Sequence, residues 1–316
     1  MKRMNYGFIG IFSLIFIMFS SCEKVLDIDI PFKKRKIVVN GIMNPDSLVR
    51  VHVSKSMHIL DNQDIALLDN AHLNLYEDGV FIDSIPEVAN GLYELPGFKP
   101  AIDHTYRIEV TAENRNPVEA ETTIPKPVSI ISIDTNRVKG QDSGNSLQFS
   151  LQFKDPPGVE NYYIIRAKVY RQFSEWDHKT DSLSFYYNTE SIGLNSNDPV
   201  IDEHSSGLIF SDDYFKGKTY NMTFTFSSFY HGYYGYEEDV PERDKTYQAY
   251  IYLHSISKEY YLYLKSFYMQ MYAQDDPFAE PVTVYNNIKN GYGVLGSFAV
   301  SVDTLNIPYE SYDYGW

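Results

Sequence analysis

Cys22 is the only cysteine among 316 residues, and the residues in front of it decide what its thiol can do. The chain opens on Met1-Lys2-Arg3, runs through an apolar stretch from Phe8 to Phe19, and reaches Cys22 by way of Ser20 and Ser21. A basic start, a short apolar core and small residues before a break compose a secretory signal. The apolar stretch falls short of the roughly 20 residues that span a bilayer. A thiol at that break is an acceptor for a diacylglyceryl thioether, which predicts a lipoprotein signal peptide over residues 1–21, its removal, and acylation at Cys22. Each buried methylene contributes about 0.8 kcal/mol, so one chain holds marginally and two or three hold firmly. A free thiol behind a cleaved signal and an uncleaved anchor are the other readings of the same residues. With no second cysteine there is no disulfide framework and no thiolate metal site.

A second stretch with binding chemistry is Phe229-Tyr230-His231-Gly232-Tyr233-Tyr234-Gly235-Tyr236-Glu237-Glu238-Asp239. Gly232 and Gly235 interrupt regular structure while tyrosines crowd around them, which marks Tyr230, Tyr233, Tyr234 and Tyr236 as candidate binding residues. Rings with a polar tip stack on sugar faces or pack on a partner, so the ligand expected there is a glycan or a peptide. The same rings folded back on their own domain would be ordinary packing. Tyr309, Tyr312, Tyr314 and Trp316 extend such a surface or form a docking tail.

Catalysis finds less support. The chain carries no G-x-S-x-G elbow, P-loop, dinucleotide glycine fingerprint or H-E-x-x-H motif, and its eight histidines have no consistent spacing. Asp202-Glu203-His204, Asp212-Asp213 and Glu237-Glu238-Asp239 offer oxygen ligands of the kind Ca²⁺ takes, yet without a known loop spacing they read as solvated faces. No catalytic residue, metal or cofactor is assigned. Acids outnumber bases 42 to 27, for a formal net charge of −15, which repels phosphate and argues against a nucleic-acid partner. Lys33-Lys34-Arg35-Lys36 is the one basic block, near enough to Cys22 to meet anionic headgroups or simply to form a solvated edge.

The elements that must position these residues are mostly strands. Twenty-eight Tyr and 19 Phe favour pleated, half-buried surfaces. Residues 22–36 read as a tether. From Ile37 the period is two: Val49, Val51 and Val53 share one side and Arg50 and His52 the other. Glu77-Asp78-Gly79 turns a hairpin, and Tyr106 stands where a corner tyrosine would. Short strands at this spacing predict an immunoglobulin-like β-sandwich over 37–127, closed by Pro125-Lys126-Pro127. A second sandwich is expected over 128–316, with a polar, loop-rich insertion at 171–218. Ser257 and Glu259 open a helix over 257–273, on which Tyr260, Leu264, Phe267 and Met271 would line one face, with Tyr261, Tyr268 and Tyr272 beside it. The fold class is mainly β.

The lipoprotein start, Ile37-Val38-Val39-Asn40-Gly41, the helix from Ser257, Asp276-Pro277-Phe278-Ala279-Glu280-Pro281-Val282 and the block Asn286-Asn287-Ile288 to Gly291, Gly293 and Gly296 together resemble the family called domain of unknown function 4249. The resemblance covers nearly all of the chain beyond the signal. It implies an envelope lipoprotein of Bacteroidota-type bacteria, often encoded beside a TonB-dependent outer-membrane transporter, and transfers no catalytic residue. The glycines and asparagines of the closing block suit tight backbone approach and side-chain-tied turns. The function expected is therefore a non-enzymatic outer-membrane lipoprotein, an accessory or ligand-capture subunit of a β-barrel transporter. The alternatives are a surface hydrolase whose carboxylates converge only on folding, and a structural envelope or adhesion module.

Overall fold

A computed structural model describes residues 34–58, 61, 64–139, 145–177, 179, 182–204, 207–226, 246–274 and 278–308. Arg35 onward forms one compact unit, mainly β with one helix among the described residues. The strands are β1 (Ile37–Met43), β2 (Arg50–Lys55), β3 (His72–Glu77), β4 (Val80–Ile85), β5 (Glu87–Ala89), β6 (Leu92–Glu94), β7 (Thr105–Thr111) and β8 (Val118–Thr123). They continue as β9 (Ile130–Lys139), β10 (Asn145–Lys154), β11 (Tyr162–Asp177), β12 (Ser182–Ile192), β13 (Leu194–Asn195), β14 (Ile201–His204), β15 (Gly207–Ser211), β16 (Thr219–Phe226) and β17 (Thr246–Ile256). Helix α1 (Lys258–Gln274) and β18 (Tyr292–Pro308) complete the order.

Alternation builds the first sandwich. In β1, Ile37, Val39 and Met43 are buried while Asn40 faces out, and in β2 Val51 and Val53 are buried while Arg50 and His52 are exposed. Asp78 (φ 49°) and Gly79 (φ 83°) both take left-handed backbone between β3 and β4, the geometry a two-residue hairpin demands. The order β1-β2-β6-β5 faces β4-β3-β7-β8, and Val39, Val51, Leu73, Leu75, Ile108 and Val110 fill the space between. Tyr106, fully buried at the start of β7, accepts a hydrogen bond from the Ala101 N–H at 2.7 Å and donates to the Glu77 carboxylate.

The second sandwich repeats the order, β9-β10-β16-β13 against β18-β17-β11-β15-β14. Its core is aromatic, with Phe149, Phe153, Tyr163, Phe210, Phe215 and Phe224 buried together. Tyr247 is the second residue of β17 as Tyr106 is of β7, and it is equally buried. Residues 171–218, expected to be loop-rich, carry the outer part of β11 and strands β12 to β15. Leu208, Ile209 and Phe210 hide their strand from a period-two reading because both faces are covered, Leu208 and Phe210 by the core and Ile209 by α1.

Ile124 packs in the first core and Val128 in the second. Strand β18 serves both. Tyr292 to Ser297 pair in parallel with β1, and Phe298 to Pro308 pair antiparallel with β17. Leu295 sits in the first core and Ile307 in the second, within one ten-stranded sheet, and Ala299 still packs into the first core although its strand partner is Ser255 of β17. At the crossover Ser297 is fully buried, donating to the Thr123 carbonyl at 2.7 Å and accepting from the Thr122 hydroxyl at 3.0 Å. The block before β18 closes the seam: the Asn287 side chain bonds both the N–H and the carbonyl of Leu295, at 2.9 and 2.8 Å.

Candidate functional site

Helix α1 lies on the outer face of the shared sheet, and both recesses described here open along its flanks. Ser257 starts it: its carbonyl accepts the Tyr261 N–H at 3.0 Å, and its hydroxyl accepts the Tyr260 N–H at 3.3 Å and the Ser297 N–H at 3.2 Å. One residue thus caps the helix and ties it to β18. Tyr261 and Leu264 bury themselves on Ile164, Ile209 and Ile256, and Tyr261 stacks on Tyr162 with centroids 4.5 Å apart. The buried line differs from the one expected. Tyr260 is half-buried, while Phe267 and Met271 are 37% and 48% exposed. The helix is rotated by about one residue because Asp202 on β14 holds its inner side, accepting from the Tyr261 hydroxyl and from Lys265 Nζ, each at 2.6 Å. Burial and then the Asp202 bond push the Tyr261 hydroxyl up to about 12. Burial works against the Lys265 charge, Asp202 outweighs it, and the net shift is upward.

The first recess, about 490 Å³, lies between α1 and the outer side of β1 and β2. Asn40, Arg50 and His52 form its floor and Tyr260, Tyr263 and Leu264 its wall. Arg50 is held by Glu94, its Nε at 2.7 Å, which fixes the guanidinium at the rim. Burial raises the Tyr263 pKa, keeping that ring a neutral hydrogen-bonding surface. The second recess, about 550 Å³, lies between α1 and the strap 283–286 and is lined by Lys265, Ser266, Met269, Thr283 and Tyr285. The Ser266 hydroxyl accepts the Tyr285 N–H at 2.8 Å and Gln270 accepts the Val282 N–H at 2.8 Å, so the strap is stitched to the helix. The described residues lining either recess include no Asp or Glu. Mixed rings, amides and a fixed cation suit reversible binding of a polar ligand.

The tyrosines singled out by sequence, Tyr230, Tyr233, Tyr234 and Tyr236, lie outside the described residues, as does Cys22. Of the acidic groups, Asp202 anchors α1. Asp212 is buried, accepts the Asn161 backbone N–H at 2.9 Å, and is raised in pKa chiefly by that burial. Buried Asp155 accepts from the Tyr163 hydroxyl at 2.5 Å and the Gly217 N–H at 2.7 Å. Both carboxylates tie turns of the second sandwich together. Among the described residues no group of three or more His, Cys, Asp or Glu is disposed to hold a metal. Asn40, Arg50 and His52 escape a sequence reading because they are the ordinary outward positions of alternating strands. Only the return of α1 over them makes a recess.

Residues 23–304 match the family model described as Domain of unknown function (DUF4249). The chain belongs to this family. No curated protein matches it. In this DUF4249 chain the matched span takes in both sandwiches and α1 and ends within β18, so the helix-flanked recesses fall inside the family region.

Proposed function

We propose that this DUF4249 protein is a lipid-anchored accessory subunit of the outer membrane, which captures a polar ligand and works beside a TonB-dependent β-barrel transporter. The observation that carries the reading is Cys22, set behind a basic, apolar and small-residue leader and joined by a short tether to a body that begins at β1. Two or three acyl chains at Cys22 would keep that body at the membrane surface, where the recesses beside α1 meet ligand and a barrel partner. The exposed end of α1, with Phe267, Met269 and Met271, offers apolar contact area for such a partner. Binding, rather than turnover, is the role that the lining of the recesses supports. The test is extraction of the native protein in mild detergent, intact-mass analysis, and identification of what co-purifies. A diacylglyceryl-modified Cys22 and a co-purifying β-barrel transporter are expected. An unlipidated chain with no membrane partner would overturn the reading.

A further inference from the structure

Helix α1 covers only one end of the outer face of β11 and β17. Beyond it the register sets Arg166 opposite Tyr252 and Lys168 opposite Tyr250, all four side chains on the side away from the core. Arg166 is half-buried and Lys168 exposed. Arg35, Arg50, Arg107, Lys258 and Lys265 each meet a carboxylate. Neither Arg166 nor Lys168 does so among the described residues, and the contact of Lys168 is with the Tyr252 ring, 5.9 Å from its centroid. A guanidinium carries five donors, and a half-buried one without a carboxylate acceptor among the described residues is poised for an external anion. The sheet also makes room for it: a Cβ on Gly207, the register partner of Arg166 on β15, would stand 2.9 Å from Arg166 Cγ.

We propose that this face is a docking platform for an acidic oligosaccharide, with carboxylates held by Arg166 and Lys168 and sugar rings lying on Tyr252 and Tyr250. The proposal deepens the capture role above and rests on it for its biological setting. In a chain of net charge −15 the two cations are a local reversal of sign, so they select an anionic ligand and orient it. Tyr170, 39% exposed, stacks on Tyr187 at 5.6 Å and prolongs the aromatic surface beyond Lys168. Two cations are too few to hold a membrane, at about 1 kcal/mol for each basic residue near the surface. A peptide strand adds to a sheet edge, whereas these residues lie on a sheet face. A repeating uronic acid chain satisfies both features, presenting a carboxylate and a ring face at each unit.

The experiment titrates the full-length protein in detergent with polygalacturonate, with neutral dextran, and with phosphatidylglycerol vesicles. Polygalacturonate is expected to bind, more weakly as salt rises, and dextran to bind far less. The double variant R166Q/K168Q should lose at least about tenfold in affinity, one charge-assisted hydrogen bond's worth, with its thermal midpoint unchanged. Tyr252→Ala should lose a comparable factor. Equal binding by R166Q/K168Q and the parent would overturn the proposal, as would equal binding of dextran or a preference for the vesicles. Cys22→Ala separates the two readings: it abolishes anchoring and leaves polygalacturonate binding intact. Polygalacturonate binding without a co-purifying transporter would remove the accessory role and keep the platform.

Discussion

The two sandwiches share a strand order and differ in what fills them. The first packs aliphatic side chains such as Val51, Val53, Leu73, Leu75 and Ile108, with Tyr93 and Tyr106 as its large buried members. The second packs ring on ring: Phe149 lies 4.4 Å from Phe226 and Phe215 lies 4.3 Å from Tyr220, centroid to centroid. Only the second buries carboxylates among the described residues, Asp155 and Asp212. The two differences meet at Asp155. Tyrosines in a core bring hydroxyls that need acceptors, so Tyr163 donates to Asp155 and Tyr220 to Asp198 at 2.6 Å. One topology thus tolerates two core chemistries, provided the aromatic one is supplied with polar anchors.

The strand the sandwiches share is where the comparison breaks most easily. Gly293 on β18 has φ 112°, and a Cβ there would stand 2.0 Å from the Val39 carbonyl oxygen on β1. Gly293→Ala forces that contact and strains the backbone together, with an expected loss of about 4 kcal/mol or more. Urea denaturation followed by circular dichroism measures it. A midpoint equal to the parent's would mean that β1 and β18 are not in close register and that the sandwiches do not share a sheet.

Within the cores, Phe153→Ala should cost about 4 kcal/mol and Leu75→Ala about 3 kcal/mol. Phe153 touches four other rings, those of Tyr163, Phe210, Phe215 and Tyr220, so its removal leaves the larger cavity. A reversed order would show that the aromatic core collapses into the space and the aliphatic one does not. The hydroxyls come next. Tyr163→Phe strips a donor from fully buried Asp155, at about 2–3 kcal/mol, whereas Tyr106→Phe strips one from partly exposed Glu77 and leaves the Ala101 N–H without its acceptor, at about 1–2 kcal/mol. Equal losses in thermal unfolding would remove the distinction drawn between a fully buried carboxylate anchor and a partly exposed one.

Much of this was legible in the chain. Alternation in Val49 to Val53 and Leu147 to Phe153, the Asp78-Gly79 turn and the capping Ser257 each act within a few residues, so local chemistry decides them. What escaped depends on long-range contacts. Leu208-Ile209-Phe210 lost its period because a helix some 50 residues later covers the second face. The α1 stripe shifted by a residue because Asp202, far back in sequence, claims Tyr261 and Lys265. Arg166-x-Lys168 and Tyr250-x-Tyr252 were visible as alternating residues, but only the β11–β17 register sets them side by side. The recess residues Asn40, Arg50 and His52 likewise became a site only when α1 packed over them.

The smallest expected effect separates the sandwiches by pH. His254 on β17 lies among Arg166 and Lys168 of β11, the Tyr252 ring on its own strand and the Phe298 ring of β18, 5.1 Å away. Burial first, then those two cations, push its pKa down from 6.5 to about 4. An unfolded chain therefore takes up this proton as pH falls through 6.5, the folded one takes it up only near 4, and stability falls across that window. A shift of that size bounds the loss at about 3 kcal/mol, and solvent screening at this partly exposed ring brings it to the order of 1 kcal/mol. The first sandwich has a counterpart of the same sign in a lower window, Asp78, whose pKa is lowered by the Thr105 N–H and then by His104 at 2.7 Å. Its contribution is present above the ordinary carboxylate range and disappears as pH falls below about 4. His254→Gln should flatten the stability profile between pH 6.5 and 4, and Asp78→Asn should change it only below that window. Urea midpoints at half-unit pH steps read both. A His254→Gln profile that still falls across the window would assign the acid sensitivity to groups other than the buried ring of the second sandwich.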